Sequence, residues 1–157
     1  MSSPPSNKPR TFTARQANAT LPLVGAIVSD LVQLARDVAE RRQRLADLTG
    51  GRPRHPTDPY QEELAQIAQQ FDSDSRQLQQ YMDEVRQIGA EPKSALEGLV
   101  DFPSIMDGRP VYLCWKLGEP EVLYWHEVDA GYAGRQPLAA EVGAAEGIDR
   151  DRADALP

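Results

Sequence analysis

A chain of 157 residues has the length of one domain, and its 40% hydrophobic content supports one modest core. The formal net charge of −7 argues against binding to nucleic acid or to an anionic membrane, because both require a basic face. One cysteine, Cys114, excludes an intrachain disulfide and fits a reducing cytoplasm, where we expect the protein to be. We also expect no membrane span, since no apolar run approaches about 18 residues.

The start of the domain is predicted from capping residues and prolines. Residues 1–10 are rich in Ser, Pro and basic residues and predict a disordered lead. Thr13, with Gln three residues later, has the spacing of a capping box, which begins a short helix over about 13–19. Pro22 either kinks this helix or begins a second helix, which we place over 22–48.

The segment 23–48 carries apolar residues at alternating steps of three and four, which is the heptad spacing of a coiled-coil seam. Arg41 is the polar interruption of this seam. Gly50 and the Gly that follows it end the helix, and the prolines of the next segment cannot continue it. The apolar seam residues are Val24, Ile27, Leu31, Leu34, Val38, Leu45 and Leu48.

A third helix is predicted over 58–89 from a second heptad seam, in which Asp74 is the polar interruption. A loop of about ten residues lets this helix fold back on the previous one as an antiparallel hairpin. The earlier segment is net basic and this one net acidic, which favours the alignment. With the loop centred near residue 53, Arg41 would lie near Gln66 rather than near Asp74, so the two interruptions are not expected to pair.

A small antiparallel β-meander is predicted after the hairpin. Asp107-Gly108 is a strong two-residue hairpin turn, and a second turn is predicted over 118–121. The segments that flank these turns are rich in β-branched and aromatic residues, as strands are. The predicted strands are 99–105, 111–117 and 122–128, within a β segment over 98–135.

The predicted fold class is therefore α+β: a long, coiled-coil-like antiparallel helical hairpin followed by a three-stranded antiparallel meander. It forms one domain over 11–135. Residues 136–157 predict a disordered acidic tail, because they are rich in Ala, Glu and Asp without an apolar pattern. A two-helix hairpin leaves apolar surface open, so the meander or a second copy of the chain must cover it.

The positions of the turns determine which strand residues share a face of the sheet, because side chains alternate along a strand. The predicted register pairs Phe102 with Leu113 and Leu113 with His126. One face is then mostly apolar and should pack on the helices, whereas the other faces solvent, a partner or a site. The first face carries Val100, Phe102, Leu113, Trp115, Tyr124 and His126, and the second carries Asp101, Tyr112, Cys114, Lys116, Trp125 and Glu127.

His126 is the main candidate for chemistry, as an acid–base group or a metal ligand, with Asp101 and Glu127 as candidate catalytic partners. The predicted register places both carboxylates and Cys114 on the opposite face from His126. Because a zinc site requires about three converging ligands, no cofactor is predicted, and a divalent metal at His126 is kept as the alternative. Cys114 is interpreted as a small half-buried hydrophobe rather than a nucleophile.

A contact surface is predicted around Trp125, because exposed aromatic side chains often mark binding sites. Tyr112, Glu127 and Arg135 complete this predicted surface. The segment Gly131–Arg135 has two interpretations. Its backbone amides and arginine would suit an anion, or it is an ordinary loop with a salt-bridging arginine.

Four motifs lie in the second half of the chain: GLVDFP at 98–103, LCWKLGE at 113–119, YWHE at 124–127 and GYAGR at 131–135. With the helical opening from Phe12 to Pro22, this pattern resembles a bacterial domain-of-unknown-function family, over roughly residues 11–138. The resemblance implies a small cytosolic protein. It brings no activity, cofactor or partner.

Two hypotheses for the function follow. The preferred one is a non-enzymatic interaction or binding module that self-associates through its hairpin, because a dimer forming a four-helix bundle would cover both seams. A separate protein partner would fit the same surfaces. The alternative is a small metal-dependent or acid–base enzyme around His126. A β-bulge near Gly118 or Pro120 would shift the register by one and bring His126 onto the face of Asp101 and Cys114, which would favour this alternative.

Overall fold

The computed structural model describes residues 10–50 and 61–138, and the structural statements below concern these residues. Two helices precede an antiparallel sheet of five strands, which lie side by side in chain order. The predicted α+β class and helical hairpin are confirmed, but the sheet has two more strands than predicted. The elements are α1 (Ala14–Thr49), α2 (Gln61–Ile88), β1 (Glu91–Ser94), β2 (Leu99–Met106), β3 (Arg109–Lys116), β4 (Tyr124–Glu127) and β5 (Gln136–Pro137), with a 3₁₀ turn at Tyr132–Gly134.

The two additional strands form the edges of the sheet. β1 follows α2 directly and pairs with β2, with an irregularity between Pro92 and Ser94. β5 pairs with β4 at two residues, so the ordered chain continues past 135 into the predicted tail. Short edge strands that contain proline have little alternating pattern, so periodicity does not predict them. Residues 1–9 of the predicted lead, the start of the third helix and the tail beyond 138 lie outside the described residues.

α1 is one continuous helix of 36 residues, so the predicted division into helices over 13–19 and 22–48 is wrong. The predicted capping box is confirmed. The side chain of Thr13 accepts a hydrogen bond from the backbone N–H of Gln16, whose side chain accepts one from the backbone N–H of Thr13. Pro22 lies on the exposed side of the helix, where a carbonyl that loses its helical partner can bond to water instead.

The core lies between α1 and one face of the sheet, which we call the inner face. Val24 and Val28 of α1 are fully buried in one cluster with Phe102, Leu113 and Trp115 of β2 and β3. This packing accounts for the apolar character of α1. By length and composition alone, α1 is the one helix in the described ranges that could cross a membrane, a test that a helix packed in a protein core also passes.

The start of the described chain is tied to β2 by hydrogen bonds and an aromatic contact. The N–H of Phe12 donates to the carbonyl of Pro103 at 2.7 Å, and Ser104 Oγ donates to the carbonyl of Phe12 at 2.6 Å. The rings of Phe12 and Phe102 meet edge to face, with centroids 5.3 Å apart. These contacts bring the first turn of α1 onto the inner face.

The two polar interruptions of the helical seams form an ion pair between Arg41 and Asp74, so the prediction that they would not pair is wrong. Asp74 is 6% exposed and also accepts a hydrogen bond from Gln70 Nε2 at 3.0 Å. The prediction assumed that the loop is centred near residue 53. Residues that face each other in an antiparallel hairpin are equidistant from the centre of the loop, so the pairing of Arg41 with Asp74 places that centre later in the chain.

The register between β2 and β3 is as predicted, with Phe102 opposite Leu113. The register between β3 and β4 differs from the prediction by one residue, because Leu113 lies opposite Trp125 rather than His126. The connection before β4 is longer than the predicted tight turn, and the Glu119 carboxylate accepts a hydrogen bond from the Lys116 N–H within it. A shift of one residue moves Trp125 into the core and His126 onto the other face, which we call the outer face.

Replacing Gly98 with Ala should destabilise the protein by about 2–5 kcal/mol, because it adds left-handed strain and overpacking. Gly98 has φ +69°, and a Cβ there would lie 2.7 Å from Leu117 Cβ and 3.1 Å from Val32 Cγ2. Gly108 is the matched control, since it has φ +77° with nothing within 4 Å. Gly108→Ala should cost only about 1–2 kcal/mol in chemical denaturation. Equal losses for the two variants would contradict the packing assigned to Gly98.

Asp74→Ala should destabilise the protein by about 1–3 kcal/mol, because it removes the hydrogen bonds of a buried carboxylate and leaves Arg41 without its partner. The double variant Arg41→Leu/Asp74→Leu should be at least as stable as the wild type, since leucine completes both apolar seams. Urea denaturation monitored by circular dichroism measures both changes. A double variant less stable than Asp74→Ala would show that the ion pair does more than fill a seam position.

Candidate functional site

Three buried ionisable side chains meet at the centre of the outer face, and we call them the Asp–Cys–His cluster. They are Asp101 on β2, Cys114 on β3 and His126 on β4, which are 3%, 1% and 2% exposed. Asp101 lies directly opposite Cys114 in the sheet. His126 lies opposite Tyr112, two residues along β3 from Cys114. Three adjacent strands therefore hold the three side chains in a rigid frame.

Both ring nitrogens of His126 are engaged. Nδ1 lies 2.7 Å from the carbonyl oxygen of Glu127, and Nε2 lies 3.0 Å from Oδ1 of Asp101. A carbonyl oxygen only accepts hydrogen bonds, so Nδ1 carries a proton and donates it. Nε2 then faces a carboxylate, and this contact requires either a second proton between the two atoms or a metal ion bound by both.

The thiol of Cys114 completes the cluster and is held in its protonated form. Burial raises the pKa of this thiol to about 12, and the negative charge of Asp101 and a hydrogen bond to it act in the same direction. The positive charge of Arg135 lowers the pKa by a smaller amount. A protonated, buried thiol is a poor nucleophile, so this environment supports the interpretation that Cys114 is not a nucleophile.

Arg135 and its neighbours pack at one side of the cluster. Arg135 Nη2 lies 2.6 and 2.8 Å from the two carboxylate oxygens of Glu119, and its guanidinium lies over the ring of Tyr124, 3.9 Å from the centroid. Tyr132 contacts the same guanidinium at 4.9 Å. On the other side, the Tyr112 ring lies 5.6 Å from that of His126. Aromatic rings therefore flank the cluster on two sides.

The geometry of the segment Gly131–Arg135 supports the ordinary-loop interpretation. Arg135 is paired with a carboxylate rather than directed at an open anion site. The backbone N–H groups of Gly134 and Arg135 donate to the carbonyls of Gly131 and Tyr132 within the 3₁₀ turn. These two backbone N–H groups and Nη2 of Arg135 are thus already used inside the protein.

The four residues of the predicted contact surface do not lie together. Trp125 is 7% exposed and packs in the core on the inner face, because of the register shift. Glu127 shares that face and pairs with Arg109 at 2.8 Å, so only its backbone carbonyl reaches the cluster. Tyr112 and Arg135 lie on the outer face. The prediction that they form one surface with Trp125 is therefore wrong.

The structure unites the candidates that the predicted register had separated. His126 and Asp101 are in direct contact, and Cys114 lies beside them. Sequence reasoning placed Cys114 on the same face as Asp101, but it did not predict the pairing of Glu119 with Arg135. The carboxylate of Glu119 binds both Arg135 and the N–H of Lys116. The hypothesis of a β-bulge near Gly118 or Pro120 was the one argument from the sequence that placed His126 on the same face as Asp101 and Cys114.

Alkylation of Cys114 by iodoacetamide at pH 8 should be at least ~10³-fold slower in the native protein than in urea, because the pKa of an exposed thiol is about 8.5. The native thiol has a pKa of about 12 and is 1% exposed. Mass spectrometry of the modified chain measures both rates, and the unfolded chain serves as the control. Comparable rates would mean that the native thiol is ionised or accessible.

Comparison with known proteins places the chain among proteins of uncharacterised function. A protein-family model described as "Uncharacterized conserved protein (DUF2203)" matches residues 10–138, which is most of the chain. No curated protein and no solved structure matches it. The match includes both helices, the whole sheet and the Asp–Cys–His cluster. The chain therefore belongs to the DUF2203 family of uncharacterized conserved proteins.

Proposed function

We propose that this protein binds one thiophilic divalent metal ion, with Zn²⁺ as the first candidate, at Asp101, Cys114 and His126. The observation that carries the proposal is the convergence of one potential ligand atom from each side chain, all within 4.8 Å of one another. This number of side-chain ligands is typical of a zinc site with one remaining coordination position. The three residues lie on adjacent strands, which keeps the ligand atoms close together without loop movement.

The orientation of His126 independently supports metal binding. A histidine that binds a metal almost always donates its other ring N–H to a carbonyl or carboxylate, which fixes the tautomer. Here Nδ1 donates to the carbonyl of Glu127 at 2.7 Å, and the remaining nitrogen, Nε2, faces Asp101. A bound ion would replace the proton that this contact otherwise requires.

The ligand types select the class of ion. A thiolate, an imidazole and a carboxylate suit Zn²⁺ and similar transition-metal ions. Mg²⁺ and Ca²⁺ prefer sites made of oxygen ligands, and this cluster offers one carboxylate. Metal binding deprotonates a coordinating thiol, so the resting protonation of Cys114 is no obstacle to coordination.

Three protein ligands leave one coordination position, which in zinc enzymes binds water or substrate, but the burial of this cluster favours a role of the ion in holding the sheet together over catalysis. Each of the three residues is at most 3% exposed, so a substrate would have no direct access to the ion. The ion would instead join β2, β3 and β4 across the middle of the sheet. This role is compatible with a non-enzymatic protein, and acid–base chemistry on an external substrate is disfavoured for the same reason of access.

The test is metal binding by the purified full-length protein after chelator treatment. We expect one Zn²⁺ per chain by native mass spectrometry and a higher Tm with the ion, because a ligand that binds only the native state stabilises it. Co²⁺ should produce a thiolate-to-metal charge-transfer band. The chain has one cysteine, so this band assigns the ligand without ambiguity.

Matched variants separate the cluster from adventitious binding. Cys114→Ser should abolish the charge-transfer band, and His126→Gln and Asp101→Asn should each weaken Zn²⁺ binding by at least about tenfold. His55→Ala is the control, because His55 is the other of the two histidines in the sequence. Absence of the band in the folded wild type, or Zn²⁺ binding unchanged by all three cluster variants, would overturn the proposal.

A further inference from the structure

A groove with apolar walls lies between α1, α2 and the turn that joins β1 to β2. Its volume is about 400 Å³, and its apolar walls come from Ala35, Val38 and Ala39 of α1, Leu78 of α2 and Leu96 of the turn. Ligand pockets in proteins have volumes from about 300 Å³ upward. The groove is therefore large enough for a small molecule with an apolar chain.

Arg42 is the one charged residue that lines this groove, and Gln43 lies beside it. The guanidinium of Arg42 is exposed and forms no ion pair with an acidic residue of the described ranges. Gln43 Nε2 donates to Asp47 Oδ1 at 3.0 Å, so this amide is engaged within α1. The polar group of the groove that is available to a ligand is therefore a cation, which favours an anionic partner.

The apolar and charged residues follow one another along a single face of α1. The lining positions 35, 38, 39 and 42 are three and four residues apart, which places them on one side of a helix. At about 1.5 Å per residue, Ala35 and Arg42 are separated by about 10 Å along the helix axis.

The β1–β2 turn covers the end of the groove that lies nearer Ala35. Gly98 of this turn approaches α1 so closely that a Cβ there would lie 3.1 Å from Val32 Cγ2. Leu96 of the same turn lines the groove. The groove thus has an apolar end under Leu96 and a cationic end at Arg42, and this polarity matches an alkyl chain that ends in an anionic group.

We infer that the groove binds the ionised form of a medium-chain fatty acid, with the alkyl chain along Ala35, Val38 and Leu78 and the carboxylate at Arg42. One guanidinium balances the single charge of a carboxylate and can donate two parallel hydrogen bonds to it. The alkyl chain is stabilised by its removal from water. The inference is independent of metal binding, since none of these residues belongs to the Asp–Cys–His cluster.

Isothermal titration calorimetry of the full-length protein with octanoate and with octanol tests the head-group preference. One octanoate should bind per chain, about threefold or more tightly than octanol, because only the acid pairs with Arg42. Octylammonium should bind more weakly than octanol, since its charge is repelled by the guanidinium. From hexanoate to octanoate, each added CH₂ should tighten binding by about twofold to fourfold.

Matched variants locate the site. Arg42→Gln should remove the preference for octanoate over octanol and leave octanol binding unchanged, because the apolar walls remain. Ala39→Leu should weaken the binding of both ligands by about fivefold or more, since the larger side chain fills the groove. Both positions are exposed, so both variants should keep the wild-type Tm. Arg44→Gln is the control, because Arg44 is an exposed arginine of α1 that does not line the groove.

Four outcomes would each overturn the inference. The first two are a wild type that binds no octanoate and a wild type that binds octanol or octylammonium as tightly as octanoate. The third is octanoate binding that Ala39→Leu leaves unchanged. The fourth is an effect of Arg44→Gln as large as that of Arg42→Gln, which would assign the preference to the overall charge rather than to the groove.

Discussion

The pairing of β4 with β3 is the constraint on which the arrangement of this protein most depends. Because Leu113 lies opposite Trp125, the indole enters the core beside the inner-face residues, and the next residue, His126, is turned to the outer face. Side chains alternate along a strand, so this one pairing determines the environment of every residue of β4. The candidate site exists because the same register brings an imidazole beside Asp101 and Cys114.

A buried polar cluster on the outer face of a small sheet is costly unless its members satisfy one another. The cluster meets this condition. His126 hydrogen-bonds to the carbonyl of Glu127 and to Asp101, and Cys114 hydrogen-bonds to Asp101. Such groups are retained in proteins where they hold a unique arrangement or bind an ion. The aromatic rings of Tyr112 and Tyr124 flank the cluster and lower the local access of water. The outer face is thus organised around polar contacts, whereas the inner face is organised around apolar packing.

In the helical hairpin, too, apolar contacts and polar contacts have different roles. Apolar seams bring α1 and α2 together, but they permit several relative positions along the helix axes. The ion pair of Arg41 and Asp74 selects one of them, because a misaligned hairpin would bury an unpaired carboxylate.

The sequence by itself determined the elements whose signals are local: the capping box at Thr13, the heptad seams, the hairpin turn at Asp107-Gly108 and the α+β class. It also identified His126, Asp101 and Glu127 as candidates for chemistry, whereas it interpreted Cys114 as a small hydrophobe. Only the tertiary structure decided that His126, Asp101 and Cys114 meet, because the register after Lys116 depends on an irregular connection held by Glu119 rather than on a turn motif. The pairing of Arg41 with Asp74 could likewise not be predicted from the local sequence, because the length of the loop alone does not determine how two long helices align along their axes.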